Sequence, residues 1–448
     1  MFAKVFTFVT VFSVWWGCRA GATEGVRRDD ETLVIAEENI PLKLHNLVDL
    51  ALERNNVTKQ AYLKVKIAQD QLKIGKANYY PTLGLEAGYA EKDGDSYNHK
   101  IKSLGGSLNL NYTLFAFGKY RANVKLVQHY LERIKYEQNK AVQDVIYQVV
   151  NSYYELLLLK AQKEAKIEAE NLSLETYKAA SLKYKLGIVP LVDKLKSNNS
   201  YSENKLGSIR AENNIRKQEG VLNNILNLEP GYVLHVETPE VTIEKIERDV
   251  NYFLKEAKEY RIELRTLQEE KNEKIQELKA LKASLYPEIS LNGALSNSKN
   301  LSANDSKNYV DTSISLNVRV PLFAGFGNVT SIRAKEKEIE YMDLQIKQME
   351  KDISNEVWEA YHDFSTNQVS FFIADDLLKT ATENAKVNLG MYKNGKASML
   401  AVLDSQSQLE NAKVEFINSK YNWLIYRVKL LKVTGKMSLD NIININKL

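Results

Sequence analysis

Few residues in this sequence are placed to do chemistry. The single cysteine of its 448 residues is Cys18, so disulfides, Cys-based zinc sites and cysteine nucleophiles are excluded from everything downstream of it. The five histidines, His45, His99, His129, His235 and His362, show no ligand spacing. There is no nucleophile elbow, phosphate loop or metal triad. The chain is therefore expected not to be an enzyme and to need no cofactor. A formal net charge of +4, with Lys and Glu alternating and no basic stripe, also argues against nucleic acid as a partner.

The elements around these residues explain why they need no reactive centre. Charged residues make up 26% of the chain, yet there are only 20 glycines and 7 prolines. So few breakers mean long, uninterrupted elements. Residues 1–17 carry Lys4 and an apolar run, VFTFVTVFSVWWG, which reads as a secretory signal too short to span a bilayer as a helix. Two processing routes stay open. Gly17-Cys18 resembles the end of a lipoprotein box, making Cys18 a lipidated first residue; otherwise cleavage falls after Ala20 or Ala22. No later stretch is apolar enough for a transmembrane helix, so any membrane span must be a β-barrel.

The sequence is written twice. YPTLGLEAGY (80–89) returns as YPEISLNGAL (286–295), TLFAFGKY (113–120) as PLFAGFGNV (321–329), and Tyr184 and Gly187 as Tyr392 and Gly395. Order and spacing are kept, which predicts two equivalent halves, 24–228 and 249–435, joined by 229–248 and followed by a tail, 436–448. Each half is expected to hold a lead-in helix, a strand pair (80–116; 286–323) and two long helices (119–186 and 190–228; 328–393 and 397–434). No Gly or Pro interrupts 119–186 or 328–389. Helices of that length run about 90–100 Å and need neighbours throughout. Positions 400, 403, 407, 410, 414, 417, 421, 424, 428 and 431 step by three and four and are apolar or Tyr except Ser407 and Glu410, a coiled-coil seam. Val402, Leu409, Ala412, Phe416 and Trp423 form a weaker second stripe.

The strand pairs alternate. Leu104, Leu108, Leu110, Tyr112 and Leu114 interleave with Gly105, Ser107, Asn109, Asn111 and Thr113; Val310, Ile314, Leu316 and Val318 interleave with Asp311, Ser313, Ser315, Asn317 and Arg319. Apolar outside and polar inside over about ten residues is the pattern of a transmembrane barrel strand, and Tyr80, Tyr89, Phe115, Phe117, Phe323 and Phe326 supply an aromatic girdle at the ends. A soluble sheet with one buried face would alternate too, but no amphipathic helix is left over to cover it. Glu86, Glu288, Asp311 and Arg319 fall on the polar, lumen face, where they either tune ion selectivity or are simply wetted. Four strands cannot close a barrel; three copies give twelve.

With these features in place, the sequence resembles the TolC-type outer membrane efflux family over roughly residues 40–435. The most specific segment is YKNGKASMLAVLDSQSQLENAKVEF, with Tyr392, Gly395, Leu400, Leu403, Asp404, Gln406, Leu409 and Ala412. The resemblance implies a mostly helical fold with transmembrane β-structure. It implies a homotrimer forming a 12-stranded barrel in the outer membrane of a diderm bacterium and an α-helical barrel in the periplasm. The function implied is a passive exit duct for tripartite efflux or type I secretion, opened at its periplasmic end by an adaptor (membrane fusion) protein and an inner-membrane pump or ABC exporter.

The resemblance also implies site residues. Tyr392 matches a gate tyrosine, Asp193 its hydrogen-bond partner on the first hairpin, and Asp404 a carboxylate of the constriction. Leu186, Gly187 and Ile188, with Asn394, Gly395 and Lys396, match the tips that contact the adaptor. Two gate positions depart from the family pattern: Ala397 stands where an arginine is expected and Ala401 where a second acid is. The alternative reading is a periplasmic coiled-coil adaptor or scaffold, anchored through Cys18.

Overall fold

Where Gly and Pro are scarce, nothing stops a helix until a turn is required, and the helices here run accordingly. In the computed structural model the described residues are 42–92, 101–239, 243, 248–301, 308–438 and 441–442. The first half holds α1 (Leu44–Arg54), α2 (Asn56–Ala77), strands β1 (Thr82–Lys92) and β2 (Ile101–Phe115), then α3 (Lys119–Lys185) and α4 (Leu191–Ile225). The second holds α5 (Val250–Tyr260), α6 (Ile262–Ala283), β3 (Glu288–Asn300), β4 (Asn308–Arg319), α7 (Gly327–Lys393) and α8 (Met399–Val433). Corresponding helices have equal lengths: 11 residues for α1 and α5, 22 for α2 and α6, 67 for α3 and α7, and 35 for α4 and α8.

Local chemistry sets the boundaries. The side chain of Asn55 caps α2 by accepting from Val57 N at 2.7 Å, which satisfies one orphan donor of the first turn. Both long helices start after two left-handed residues, Phe117 and Gly118 before α3, Gly325 and Phe326 before α7. Helix α4 stops at Ile225, short of the 228 expected, because the chain turns through a left-handed Asn227 (φ 55°). Strand β4 stops at Arg319, short of 323, because Pro321 has no N–H for the ladder.

A small unit pairs residue 42 with the 233–237 segment. Leu42 makes a parallel bridge to Val236, donating to His235 O at 2.7 Å and accepting from Glu237 N at 3.2 Å. Lys43 belongs to the same small unit, and everything else described belongs to the larger one. There α3 packs against α1, α2, α4, α6 and α8, and α7 against α5, α6 and α8.

The core is concentrated where the short helices meet the middles of the long ones. Leu47, Val48 and Ala51 of α1, Phe253 and Ala257 of α5, Val149, Val150, Tyr153, Leu156 and Leu157 of α3, Val357, Ala360 and Phe364 of α7, and Trp423, Leu424 and Val428 of α8 are all buried. Each buried Val, Leu or Phe among them contributes about 1.5–3 kcal/mol. Gly435 follows α8 with φ +77°, and a Cβ there would lie 2.7 Å from the backbone of Tyr260. Only glycine permits that approach. Arg427, buried in α8, donates to the carbonyls of Ile442 and Asn441 at 3.3 and 3.1 Å and ties the last described turn to the core.

Away from that level the helices are held differently on the two sides of α3. Toward α2 the contact is apolar, with Val65, Ala68, Leu131 and Ile134 buried together. Toward α6 it is ionic: His129 with Glu269 at 2.7 Å, Arg133 with Glu273 at 2.7 Å and Lys140 with Glu263 at 3.4 Å. The Glu263 carboxyl titrates below its ordinary value. Burial opposes this, but the field of Arg261 and the contacts with Lys140 outweigh it.

The four strands form one antiparallel sheet in the order β1-β2-β3-β4. β1 and β4 are exposed at every position, and among the described residues each has a strand partner on one edge only.

The seam on α8 differs from the expected one near its start. Leu400 is exposed, and the buried residues there are Met399, Val402, Ser405 and Ala412. Val402, of the stripe expected to be secondary, packs with Ala180 of α3 and Tyr392 of α7, while on the expected seam Leu403 is only half-buried beside them and Leu400 and Ser407 are exposed.

Candidate functional site

The two hairpin turns are built by the same backbone device. Gly187 has φ +71° and Gly395 φ +73°. At the first turn Ile188 N donates to Lys183 O at 2.9 Å and Gly187 N to Tyr184 O at 3.0 Å; at the second Lys396 N donates to Met391 O at 2.8 Å and Gly395 N to Tyr392 O at 3.0 Å. This is the Schellman closure of a helix C-terminus, with glycine in the left-handed position. The descending helices begin differently. Ser398 caps α8 by accepting from Ala401 N at 3.2 Å, whereas Pro190 precedes α4 without a side-chain cap and Asp193 supplies the negative charge in the first turn.

The sequence-predicted tip residues are where the turns need them. Leu186 and Ile188 are exposed, as are Asn394, Gly395 and Lys396. Asn394 also donates to Gly390 O at 3.0 Å. The first tip is apolar, continuing into exposed Leu191, Val192 and Leu195; the second is polar.

Tyr392 and Asp193 are brought near each other, but the expected hydrogen bond between them is not formed. The Tyr392 hydroxyl is buried and has no hydrogen-bond partner among the described residues. Its ring is 3% exposed and packs with Ala180, Met399 and Val402, with Ala397 and Leu403 at the margin. Burial raises the pKa of the hydroxyl, and the negative field of Asp193 raises it further. The two groups therefore interact through space as phenol and carboxylate without a shared proton. Ala397 fills the packing around this ring where a longer side chain was expected.

A residue that sequence reasoning missed holds the two hairpins together. Lys183, in the last turn of α3, donates to Tyr392 O at 2.6 Å and lies 3.4 Å from Lys393 O, both carbonyls at the C-terminal end of α7. Its Nζ stands 4.2 Å from the centroid of the Tyr392 ring. A cation on C-terminal carbonyls, here shared at Tyr392 O with the Gly395 N–H, meets the negative end of the helix dipole, and a cation over a phenol ring adds to it. Nothing distinguished Lys183 in a sequence with 61 basic residues.

Asp404 lies exposed on α8, and Gln408 donates to it at 2.9 Å. Gln408 accepts in turn from Asn384 of α7 at 3.3 Å. Gln406 donates to Thr176 of α3 at 2.8 Å. On the sheet, Glu288 sits at the start of β3, accepts from Thr113 and Tyr120 at 3.5 Å and lies 3.6 Å from Lys119; Arg319 is its register partner on β4. Glu86 and Asp311 are exposed. Cys18 lies outside the described residues. Among the described residues no group of three or more His, Cys, Asp or Glu could hold a metal ion, and no helix is long and apolar enough to cross a membrane.

The sequence model of the outer membrane efflux protein family matches residues 47–228 and 253–436. Protein CyaE of Bordetella pertussis is 22% identical over 408 residues, covering 90% of this chain and 85% of that protein. Outer membrane protein TolC of Escherichia coli is 20% identical over 414 residues, covering 85% and 79%. Among solved structures, the outer membrane protein VceC from Vibrio cholerae superimposes with a TM-score of 0.76 at 20% identity, over 88% of this chain and 96% of that one. The Campylobacter jejuni CmeC outer membrane channel does so with a TM-score of 0.78 at 19% identity, over 88% and 85%.

Proposed function

From the premise that this chain belongs to the outer membrane efflux protein family, and serves as an outer-membrane exit duct for efflux or secretion, we propose how the duct is assembled and opened. Three copies join their four-stranded sheets into a 12-stranded barrel in the outer membrane, and their helices into a tunnel in the periplasm. The two halves of each chain are structural repeats that alternate around the tunnel. The duct does no chemistry; energy comes from an inner-membrane pump or ABC exporter, coupled through a periplasmic adaptor. Family membership displaces the adaptor or scaffold alternative.

The observation that carries this reading is the sheet. β1 and β4 are exposed along their whole length, each with a free edge among the described residues. Exposed oily edges are not left unpaired in water, and lipid admits only closed barrels. Eight strands are about the fewest that close, so one chain is not enough.

In this reading the hairpin turns are the gate. The Tyr392 ring and the Lys183 bridge hold α7 against α3 in the closed state. Asp193 biases the gate electrostatically, and Asp404 contributes a single acidic ring to the constriction. Leu186, Gly187 and Ile188, with Asn394, Gly395 and Lys396, present the adaptor-contact surface. Glu86, Glu288, Asp311 and Arg319 line the barrel lumen.

Detergent-extracted protein tests the assembly. The expected result is an outer-membrane fraction yielding a trimer by light scattering, which conducts ions in a planar bilayer. A water-soluble monomer without detergent would overturn the reading.

A further inference from the structure

The register in which two copies meet can be read from inside one chain. Within the chain, the end of the first half (β2 and α3) packs against the start of the second (β3 and α6). The start of the first half (β1 and α2) and the end of the second (β4 and α7) are left with open faces. Helix α3 begins at Lys119 and α7 at Gly327, 208 residues on; α2 begins at Asn56 and α6 at Ile262, 206 residues on. The strands keep the same shifts, because Thr82↔Asn111 in the first half answers to Glu288↔Arg319 in the second.

We infer that β4 and α7 of one copy dock on β1 and α2 of a second copy in the register that β2 and α3 use toward β3 and α6. This inference rests on the trimeric duct proposed above and specifies its joint. The in-chain pair Asn111↔Asn292 maps onto Arg319 of one copy facing Glu86 of the next. Opposite charges therefore meet where the chain itself has two asparagines. Leu108↔Leu295 maps onto Leu316 facing Tyr89. A slip of one residue would turn every side chain of β4 to the other face and set Arg319 against Leu85 or Ala87.

The helices carry an independent match. His129–Glu269 and Arg133–Glu273 map onto Lys337 with Leu63 and Tyr341 with Ile67. The two acids of the ionic seam inside the chain are thus exchanged for Leu63 and Ile67 between copies, which meet the stem of Lys337 and the ring of Tyr341. Leu63 and Ile67 are each 56% exposed in one chain, and Tyr341 and the adjacent Leu344 60%. An in-chain contact needs no driving force for association, while a contact between copies does, and burial of apolar surface supplies it with little dependence on salt.

Cysteine pairing in the full chain tests the register, with Cys18 left in place and single variants reporting its background. Asn109↔Ala294 maps onto Asn317 facing Gly88, and a Cβ at Gly88 meets nothing within 4 Å. The Asn317→Cys/Gly88→Cys variant is expected to give reducible dimer and trimer bands under mild oxidation, at least fivefold above the offset variant Asn317→Cys/Ala90→Cys. If both variants are trimers by light scattering and the offset pair links equally well or better, or neither links, the register is overturned and the trimeric reading stands. If the parent protein is itself a monomer in detergent, the trimeric reading falls and this inference with it.

Discussion

The two hairpin turns share a backbone and differ in what they hold. Gly187 and Gly395 take the same left-handed conformation and close the same hydrogen bonds. Yet the corresponding tyrosines part company. Tyr184 is 37% exposed, with Lys194 5.5 Å from its ring, while Tyr392 is 3% exposed and covered by Ala180, Met399 and Val402. Position 183 carries a lysine that reaches across to α7, and its counterpart, Met391, does not. One turn geometry occurs twice; the side chains make the second turn an anchor and leave the first an exposed apolar tip.

Truncating the two tyrosines should break the comparison most widely. Tyr392→Ala removes a buried ring and should cost roughly 3 kcal/mol of local stability, about a hundredfold faster amide exchange across 386–404, with a rise in single-channel conductance. Tyr184→Ala should stay within about 0.5 kcal/mol. Equal effects at the two sites would remove the asymmetry. Tyr392→Phe at neutral pH should leave the turn closed, because the hydroxyl it deletes has no partner among the described residues.

Next in size is the cross-hairpin bridge. A charge-assisted bond to backbone carbonyls is worth about 1.5–3 kcal/mol, and the partial exposure of Lys183 brings it to about 1–2 kcal/mol. Lys183→Met should therefore speed exchange at the end of α7 roughly tenfold and raise the open probability. Lys194→Met, beside the exposed tyrosine, should change neither. If Lys183→Met leaves both readouts unaltered, the second turn is held by ring packing alone.

How far these features were legible depends on whether a residue's role is set by neighbours along the chain or across it. The alternation of Leu104 through Leu114, the breaker-free run from Lys119 and the glycines at 187 and 395 are local, and the structure follows them. The proximity of Tyr392 and Asp193 came through the resemblance, but the hydrogen bond did not, because the hydroxyl's surroundings are fixed by Met399 and Val402. Lys183 and the α3–α6 ion pairs left no trace in the sequence, since partners such as His129 and Glu269 lie 140 residues apart. The seam on α8 was half read. A helix with different neighbours at different levels has no single apolar stripe, so periodicity finds a face without saying which neighbour covers it.

The glycines test the shared half of the comparison. At both positions an added Cβ would meet nothing within 4 Å, so the cost of alanine is conformational alone, about 1 kcal/mol. Gly187→Ala and Gly395→Ala should lower local stability equally, within a few tenths of a kcal/mol in exchange measurements. A larger loss at Gly395 would mean that the turns differ in backbone as well as in side chains.

The smallest expected effect depends on pH. The Tyr392 pKa is raised above 10.0 by burial and then by Asp193. A group whose folded pKa lies above its unfolded value contributes its stability in full below the unfolded value and loses it as pH rises through the folded one. The closed turn should thus weaken only above about pH 10, where the phenolate is forced beside a carboxylate at a buried position with no hydrogen-bond partner among the described residues. Other tyrosines and lysines titrate in the same range, so the quantity to follow is wild type minus Tyr392→Phe in tip exchange between pH 8 and 11.5. Asp193→Asn should shrink that difference, because one of the two causes is gone. A difference that is already present at pH 8, or that Asp193→Asn leaves intact, would show that the second turn does not sense the first through this carboxylate, and would reduce the coupling of the two hairpins to packing and the lysine bridge.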